Sequence, residues 1–93
     1  MIYTFVVHGV VQGVGYRAFV REVAEKLGIS GAVKNSDDGS VSILAEGSED
    51  ALRRFEKGID ISTVRGVQVM RIERHRGNLL PECRLISGFR IIG

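Results

Sequence analysis

His8-Gly9-Val10-Val11-Gln12-Gly13-Val14-Gly15-Tyr16-Arg17 decides how this chain is read. Glycines at positions 9, 13 and 15 free the backbone from the limits that a Cβ imposes, so it can curl and turn successive N–H groups inward. An apolar run, Ile2 to Val7, leads into the curl, and a helical pattern, Ala18 to Leu27, leads out. The curl therefore sits at a helix N-terminus, where unpaired amides and the helix dipole attract an anion. Arg17 follows at once with a planar fork of donors that can grip two oxygens of one phosphate. The stretch predicts a phosphate cradle.

Length and composition bound what surrounds it. The 93 residues read as a single domain, 1–93, able to bury roughly 60–65% of the surface of the unfolded chain. A hydrophobic content of 44% with 26% charged residues and one proline excludes a disordered chain. No apolar run approaches the ~20 residues of a membrane span, and no basic stretch with a long apolar core opens the chain. A cytoplasmic protein with no membrane partner is expected. A formal charge of +2 is too small to point to nucleic acid by itself. Cys83 is the lone cysteine and can form no intramolecular disulfide. His8 and His75 stand far apart in sequence with no partner at metal-ligand spacing, so neither a metal nor a cofactor is expected.

Taken in order, Ile2 to His8 reads as a central strand, since apolar residues fall on both alternating faces. Phe19, Val20, Val23, Ala24 and Leu27 recur at helical spacing, with Gly28 placed to stop the helix in a left-handed conformation. Gly31 to Asn35 is a short strand, and Ser36-Asp37-Asp38-Gly39 turns the chain into a further strand, Val41 to Glu46. Ser48 caps a second helix whose buried stripe is Ala51, Leu52, Phe55 and Ile59, with Gly58 expected just beyond its end. Val64 to Arg74 alternates as a fourth strand, with Gln68, Met70 and Ile72 on one face and Val67, Val69 and Arg71 on the other. His75 to Ser87 reads as a charged loop, and Phe89 to Ile92 as a short last strand.

The order β-α-β-β-α-β plus one strand predicts an α+β, ferredoxin-like sandwich: an antiparallel sheet with an extra C-terminal edge strand and two helices on one face. In such a split unit the first two strands run parallel with another between them. Two inter-strand steps of ~4.8 Å then bring Asn35 to within about 10 Å of the end of the first strand.

Other readings of the curl are weaker. Gly13-Val14-Gly15-Tyr16-Arg17-Ala18 formally fits a dinucleotide fingerprint, but that fold needs further parallel β-α units, whereas here the second strand turns straight back. An RNA-recognition module shares the strand order and stacks bases on aromatic residues of its central strands. Ser40 to Glu46 carries no aromatic or positive residue, which leaves only Tyr3 and Phe5 for that role.

Gly9 to Arg17 resembles the first signature of the acylphosphatases. Gly31-Ala32-Val33-Lys34-Asn35, with Gly39, Val41 and Gly47, resembles the second. Ala32 departs from the aromatic residue usual after that glycine, and the charged segment His75 to Arg84 matches nothing in the family pattern. The resemblance implies hydrolysis of small acyl phosphates to a carboxylate and inorganic phosphate, without metal or covalent intermediate. A monomer is expected, because charges on the edge strands Val64 to Arg74 and Phe89 to Ile92 discourage pairing with another copy. By residue, Arg17 would bind the phosphoryl group and Asn35 would position the attacking water. The backbone of Gln12, Gly13, Val14, Gly15 and Tyr16 would complete the cradle. A related alternative is a carbamoyl-phosphate-handling domain, since similar modules begin large hydrogenase-maturation enzymes.

Overall fold

The computed structural model describes residues 1–63, 66–80 and 87–93. Its elements run β1 (Ile2–Val10), α1 (Tyr16–Lys26), β2 (Ser30–Asn35), β3 (Val41–Glu46), α2 (Glu49–Ile59), β4 (Gln68–Arg76) and β5 (Phe89–Ile91). They form one sheet of order β4-β1-β3-β2-β5, with β1 central as expected. The first four strands pair antiparallel, whereas β5 lies parallel to β2, which makes the sheet mixed. The reason lies in the connection. β4 ends beside Tyr3 and β5 starts beside Gly31, at the same end of the sheet, so β5 must run opposite to β4.

Strand alternation sends Phe5, Val7, Val33, Val41, Ile43 and Ala45 to the helix side, where they close on Val20 and Ala24 of α1 and on Leu52, Phe55 and Ile59 of α2. Ser48 caps α2 as predicted, its Oγ accepting the Ala51 amide at 3.1 Å. Gly58 lies inside the last turn of α2 rather than beyond it. A Cβ there would meet Val23 Cγ1 at 2.9 Å, so this glycine admits the neighbouring helix.

β4 differs from its sequence reading in both limits and faces. His8 pairs with Arg71 but Gly9 pairs with Val69, so the register skips Met70. This bulge resets the alternation, and Val69 and Ile72 both pack against the core while Met70 is 74% exposed. It also explains Gly9. A Cβ there would lie 2.1 Å from the Gln68 carbonyl oxygen, so the bulged backbone occupies the space of a side chain.

The segment after β4 folds over the sheet's other face. Thr4 Oγ1 donates to the Gly77 carbonyl at 2.7 Å and accepts the Leu79 amide at 2.9 Å. Leu80 then packs against Ala32 and Leu44. The small residue at position 32 and this covering leucine belong together. Cys83 and the rest of 81–86, like Val64 and Arg65, lie outside the described residues.

Gly9→Ala is expected to lower stability by about 3 kcal/mol or more, because backbone must move to admit the methyl group. Gly13→Ala, also at positive φ but with open space around it, should lose only about 1 kcal/mol. Urea denaturation of both variants checks the difference.

Candidate active site

The curl hangs between two buried pillars. Val11 ends the approach from β1 at 1% exposure and Tyr16 begins α1 at 1%, while between them Gly13 and Gly15 are exposed and Gln12 and Val14 half-buried. The Tyr16 hydroxyl donates to the Ile59 carbonyl at 2.7 Å, fastening the start of α1 to the end of α2. Burial, and then the charge of Asp60, raise the pKa of this phenol well above its ordinary value, so it stays a neutral donor. Tyr16 is thus a structural pillar, with its backbone alone facing the curl.

Gly13 and Gly15 hold positive φ angles, 74° and 79°, which only glycine takes without strain. Gly15 is the N-cap of α1, and no side chain caps that helix or supplies an acid in its first turn. Among the described residues, no amide from Gln12 to Tyr16 donates to a main-chain or side-chain acceptor. The sequence therefore leaves a run of donors and a positive helix end facing the same space.

That space is a cavity of about 170 Å³ lined by Gly13, Gly15, Arg17 and Ala18, with Ile91 of β5 at its far side. Arg17 Nη1 donates to the Gly93 main-chain oxygen, and the same oxygen accepts the Asn35 amide at 3.1 Å. The shared acceptor ties Arg17 to the end of β2 and orients its guanidinium, four of whose five N–H groups remain for other acceptors. Asn35 does not line the cavity. It is joined to Arg17 through Gly93, and alternation along β2 puts its side chain on the helix side with Val33. Its Oδ1 is buried without a hydrogen-bond partner, the sole such side-chain atom found among the described residues.

Gln12 acts through its side chain as well as its position. Nε2 donates to the carbonyls of Ser36 and Ser40, both at 2.8 Å, and so bolts the curl to the β2–β3 hairpin. That hairpin is itself stiff: Asp38 Oδ1 accepts from the Ser40 amide at 2.9 Å and the Ser40 hydroxyl at 2.6 Å. The Ser40 hydroxyl, and then its amide, hold the Asp38 carboxyl below its usual pKa. Sequence reasoning did not find Gly93, because nothing local marks a glycine as the acceptor of a distant arginine.

The fold also joins the two histidines that sequence separation kept apart. His8 Nε2 lies 2.5 Å from Glu73 Oε2, and His75 Nε2 lies 3.3 Å from Glu73 Oε1. Among the described residues, no group of three or more His, Cys, Asp or Glu could hold a metal ion. The aromatic residues that a base-stacking sheet would need face the helices: Phe5 is fully buried, and Tyr3 packs beside it with a ring distance of 6.0 Å. No helix of the described residues is long and apolar enough to cross a membrane.

An uncapped helix end, free loop amides and a tethered arginine on an α+β sandwich present a run of donors suited to an anion. The acylphosphatase family model matches residues 3–91. An acylphosphatase of Thermotoga petrophila is 55% identical over 67 residues, covering 68% of this chain and 74% of that protein. The crystal structure of acylphosphatase from Bacillus subtilis superposes over 100% of both chains at TM-score 0.82 and 38% identity. Full-length HypF in its phosphate- and nucleotide-bound form matches 99% of this chain but 12% of its own length, at TM-score 0.72 and 26% identity. This chain belongs to the acylphosphatase family. Its function is that of the family, hydrolysis of small acyl phosphates, and neither the RNA-binding nor the carbamoyl-phosphate reading is favoured.

Two stability measurements follow from these contacts. Gln12→Ala forfeits two hydrogen bonds and should lose about 1–3 kcal/mol. Gln12→Glu, of equal size, should lose more, because a carboxylate then faces two carbonyl oxygens. At Glu73, hydrogen bonds from His8 and then His75 lower the pKa. The stabilisation is present above the unfolded value of about 4.3 and is lost as pH falls through the lower folded value. The gap in Tm between wild type and Glu73→Gln should therefore be open at pH 6 and should narrow progressively as pH is lowered below about 4.

Proposed function

We propose that the amides of Gln12, Gly13, Val14, Gly15 and Tyr16, together with Arg17, hold the phosphoryl group, and that Asn35 aims the attacking water. The observation that carries this reading is the set of unpaired loop amides at an uncapped helix end, with the Arg17 guanidinium fixed beside them by Gly93. Asn35 adds a buried carboxamide oxygen with no hydrogen-bond partner among the described residues. An unmade hydrogen bond of that kind costs about 1–3 kcal/mol, and such groups in native proteins call for a role toward water or ligand.

The chemistry asks for little more. Water attacks phosphorus in line, the bond from phosphorus to the acyl oxygen breaks, and the carboxylate departs with the electron pair. Its conjugate acid has a pKa near 4 to 5, like the side chains of Asp and Glu, so it leaves without a general acid. What remains is to align the water and to stabilise charge spread over the phosphoryl oxygens, which preorganised amides and a guanidinium do. Asn35 Oδ1 accepts a hydrogen bond from the water and fixes its orientation. The water's proton passes to a phosphoryl oxygen of the substrate, giving dihydrogen phosphate.

In this reading the unit is one domain over residues 1–93, acting as a monomer in the cytoplasm without metal, cofactor or nucleic acid. The charged side chains of the edge strand β4, Arg71, Glu73, Arg74 and Arg76, support the monomer by discouraging pairing of one sheet with another.

Acetyl phosphate hydrolysis, with inorganic phosphate as competitive inhibitor, tests the assignment. Arg17→Ala and Asn35→Ala should each lower kcat by a factor on the order of 10² or more. Arg17→Ala should also weaken inhibition by phosphate, whereas Asn35→Ala should leave it in place. Either variant keeping wild-type kcat would remove that residue from the mechanism.

A further inference from the structure

A second hollow opens beside the cradle. It is a groove of about 490 Å³ with apolar walls from Val14, Phe19, Ile61 and Val67 and polar ones from Arg21, Glu22 and Thr63, and it shares Gly15 and Ala18 with the cavity that holds Arg17. The four apolar walls all pack on the main core, Val67 buried and the other three partly so. Phe19 also stacks on Tyr16, with ring centroids 6.4 Å apart, so this wall is braced by a pillar of the cradle. The phosphate-holding reading gives the groove no part.

Its direction is what matters. Sheet order places β2 and β5 on one side of β1 and β4 on the other. Asn35, Gly93 and Ile91 belong to the β2–β5 side. Ile61 and Val67 belong to the β4 side, since the Val69 amide donates to the Ile61 carbonyl at 3.0 Å and Ser62 bridges to Gln68. In-line displacement puts the entering water and the leaving oxygen on opposite faces of phosphorus. A water aimed from the Asn35 side therefore sends the acyl group toward the β4 side, where the groove begins at Gly15.

We propose that this groove is the acyl subsite, with Phe19, Ile61 and Val67 as residues that determine specificity. The proposal rests on the cradle reading above. It makes acyl phosphates with extended apolar chains better substrates than acetyl phosphate. Size permits this, since an apolar cavity of about 150 Å³ already accepts a benzene ring. The groove is also open to solvent at Gly15 and Ala18, both exposed, so the carboxylate formed there can return to water.

The test is a series of acetyl, butanoyl and hexanoyl phosphates, whose carboxylates leave with nearly equal ease and differ chiefly in apolar length. For the wild type, kcat/KM should rise along the series, by up to about fourfold per methylene where burial is complete. Ile61→Ala and Val67→Ala should each cut the hexanoyl-to-acetyl ratio at least about fivefold, and Ile61→Val should shift it less in the same direction. Inorganic phosphate has no acyl group, so its inhibition constant should be alike in wild type and variants. A flat series in the wild type, or a ratio unmoved in the variants, with phosphate still competitive, overturns the acyl subsite and leaves the cradle standing. Loss of competition by phosphate in the wild type, or full activity in Arg17→Ala, overturns the cradle and the subsite together. If Ile61→Ala or Val67→Ala does not fold, the wild-type series and Ile61→Val decide the matter.

Discussion

The carboxamide of Gln12, with both its N–H groups committed to the carbonyls of Ser36 and Ser40, is the contact on which the site's geometry depends. A curl whose own amides make no internal bonds has no scaffold of its own. It must be held from outside, and three fixings do this: Val11 buried before it, Tyr16 buried after it, and Gln12 pinned to the hairpin. The hairpin is the element that follows Asn35 in the chain. The same contact that shapes the cradle therefore fixes its distance from the end of β2, with Gly93 closing the circuit from the other side.

Among the described residues, the loop amides lack acceptors, the α1 end lacks a side-chain cap, and the Asn35 Oδ1, joined to Arg17 through Gly93, lacks a donor. The buried Asn35 oxygen is the unfavourable one of these, since the exposed loop amides can bond to water. In the proposed mechanism these groups serve as donors and an acceptor set in place before substrate arrives, which limits the reorganisation needed as charge develops. The offsetting stability comes from elsewhere. β1 is paired on both edges, the Tyr16 hydroxyl bonds across to α2, and the Thr4 hydroxyl both donates and accepts under the segment that covers the sheet.

What could be read from the sequence followed from local constraint. The glycines of the curl, the helical stripe from Phe19 to Leu27, the Ser48 cap and the Ser36 to Gly39 turn each act within a few residues of themselves, and all appear in the fold. The misreadings arose where a distant partner decides. Alternation through Val69, Met70 and Ile72 could not reveal a bulge imposed by pairing with His8 and Gly9, some sixty residues earlier. Gly58 looked like a helix stop because glycine serves that role often, yet Val23 of the other helix set its identity. Ala32 reads from the sequence as a plain departure, and only the fold shows Leu80 packed against it from a segment nearly fifty residues later. In the site, Arg17 and Asn35 were visible as residue types in a pattern, while the oxygen that joins them is a backbone atom and leaves no trace in a sequence.

The same inventory explains why the proposed mechanism assigns no acid or base to the protein. Tyr16 is the titratable group at the mouth of α1, but its proton is held by burial and by the Ile59 carbonyl. In the hairpin, Asp38 is bound to Ser40 through both the hydroxyl and the amide, which keeps it ionised and spoken for. Proton transfer then falls to the reactants. A phosphoryl oxygen takes the water's proton, and a carboxylate leaves without one because it is already a weak base. The protein's part is to position atoms and to hold charge, tasks that backbone amides perform as well as any side chain.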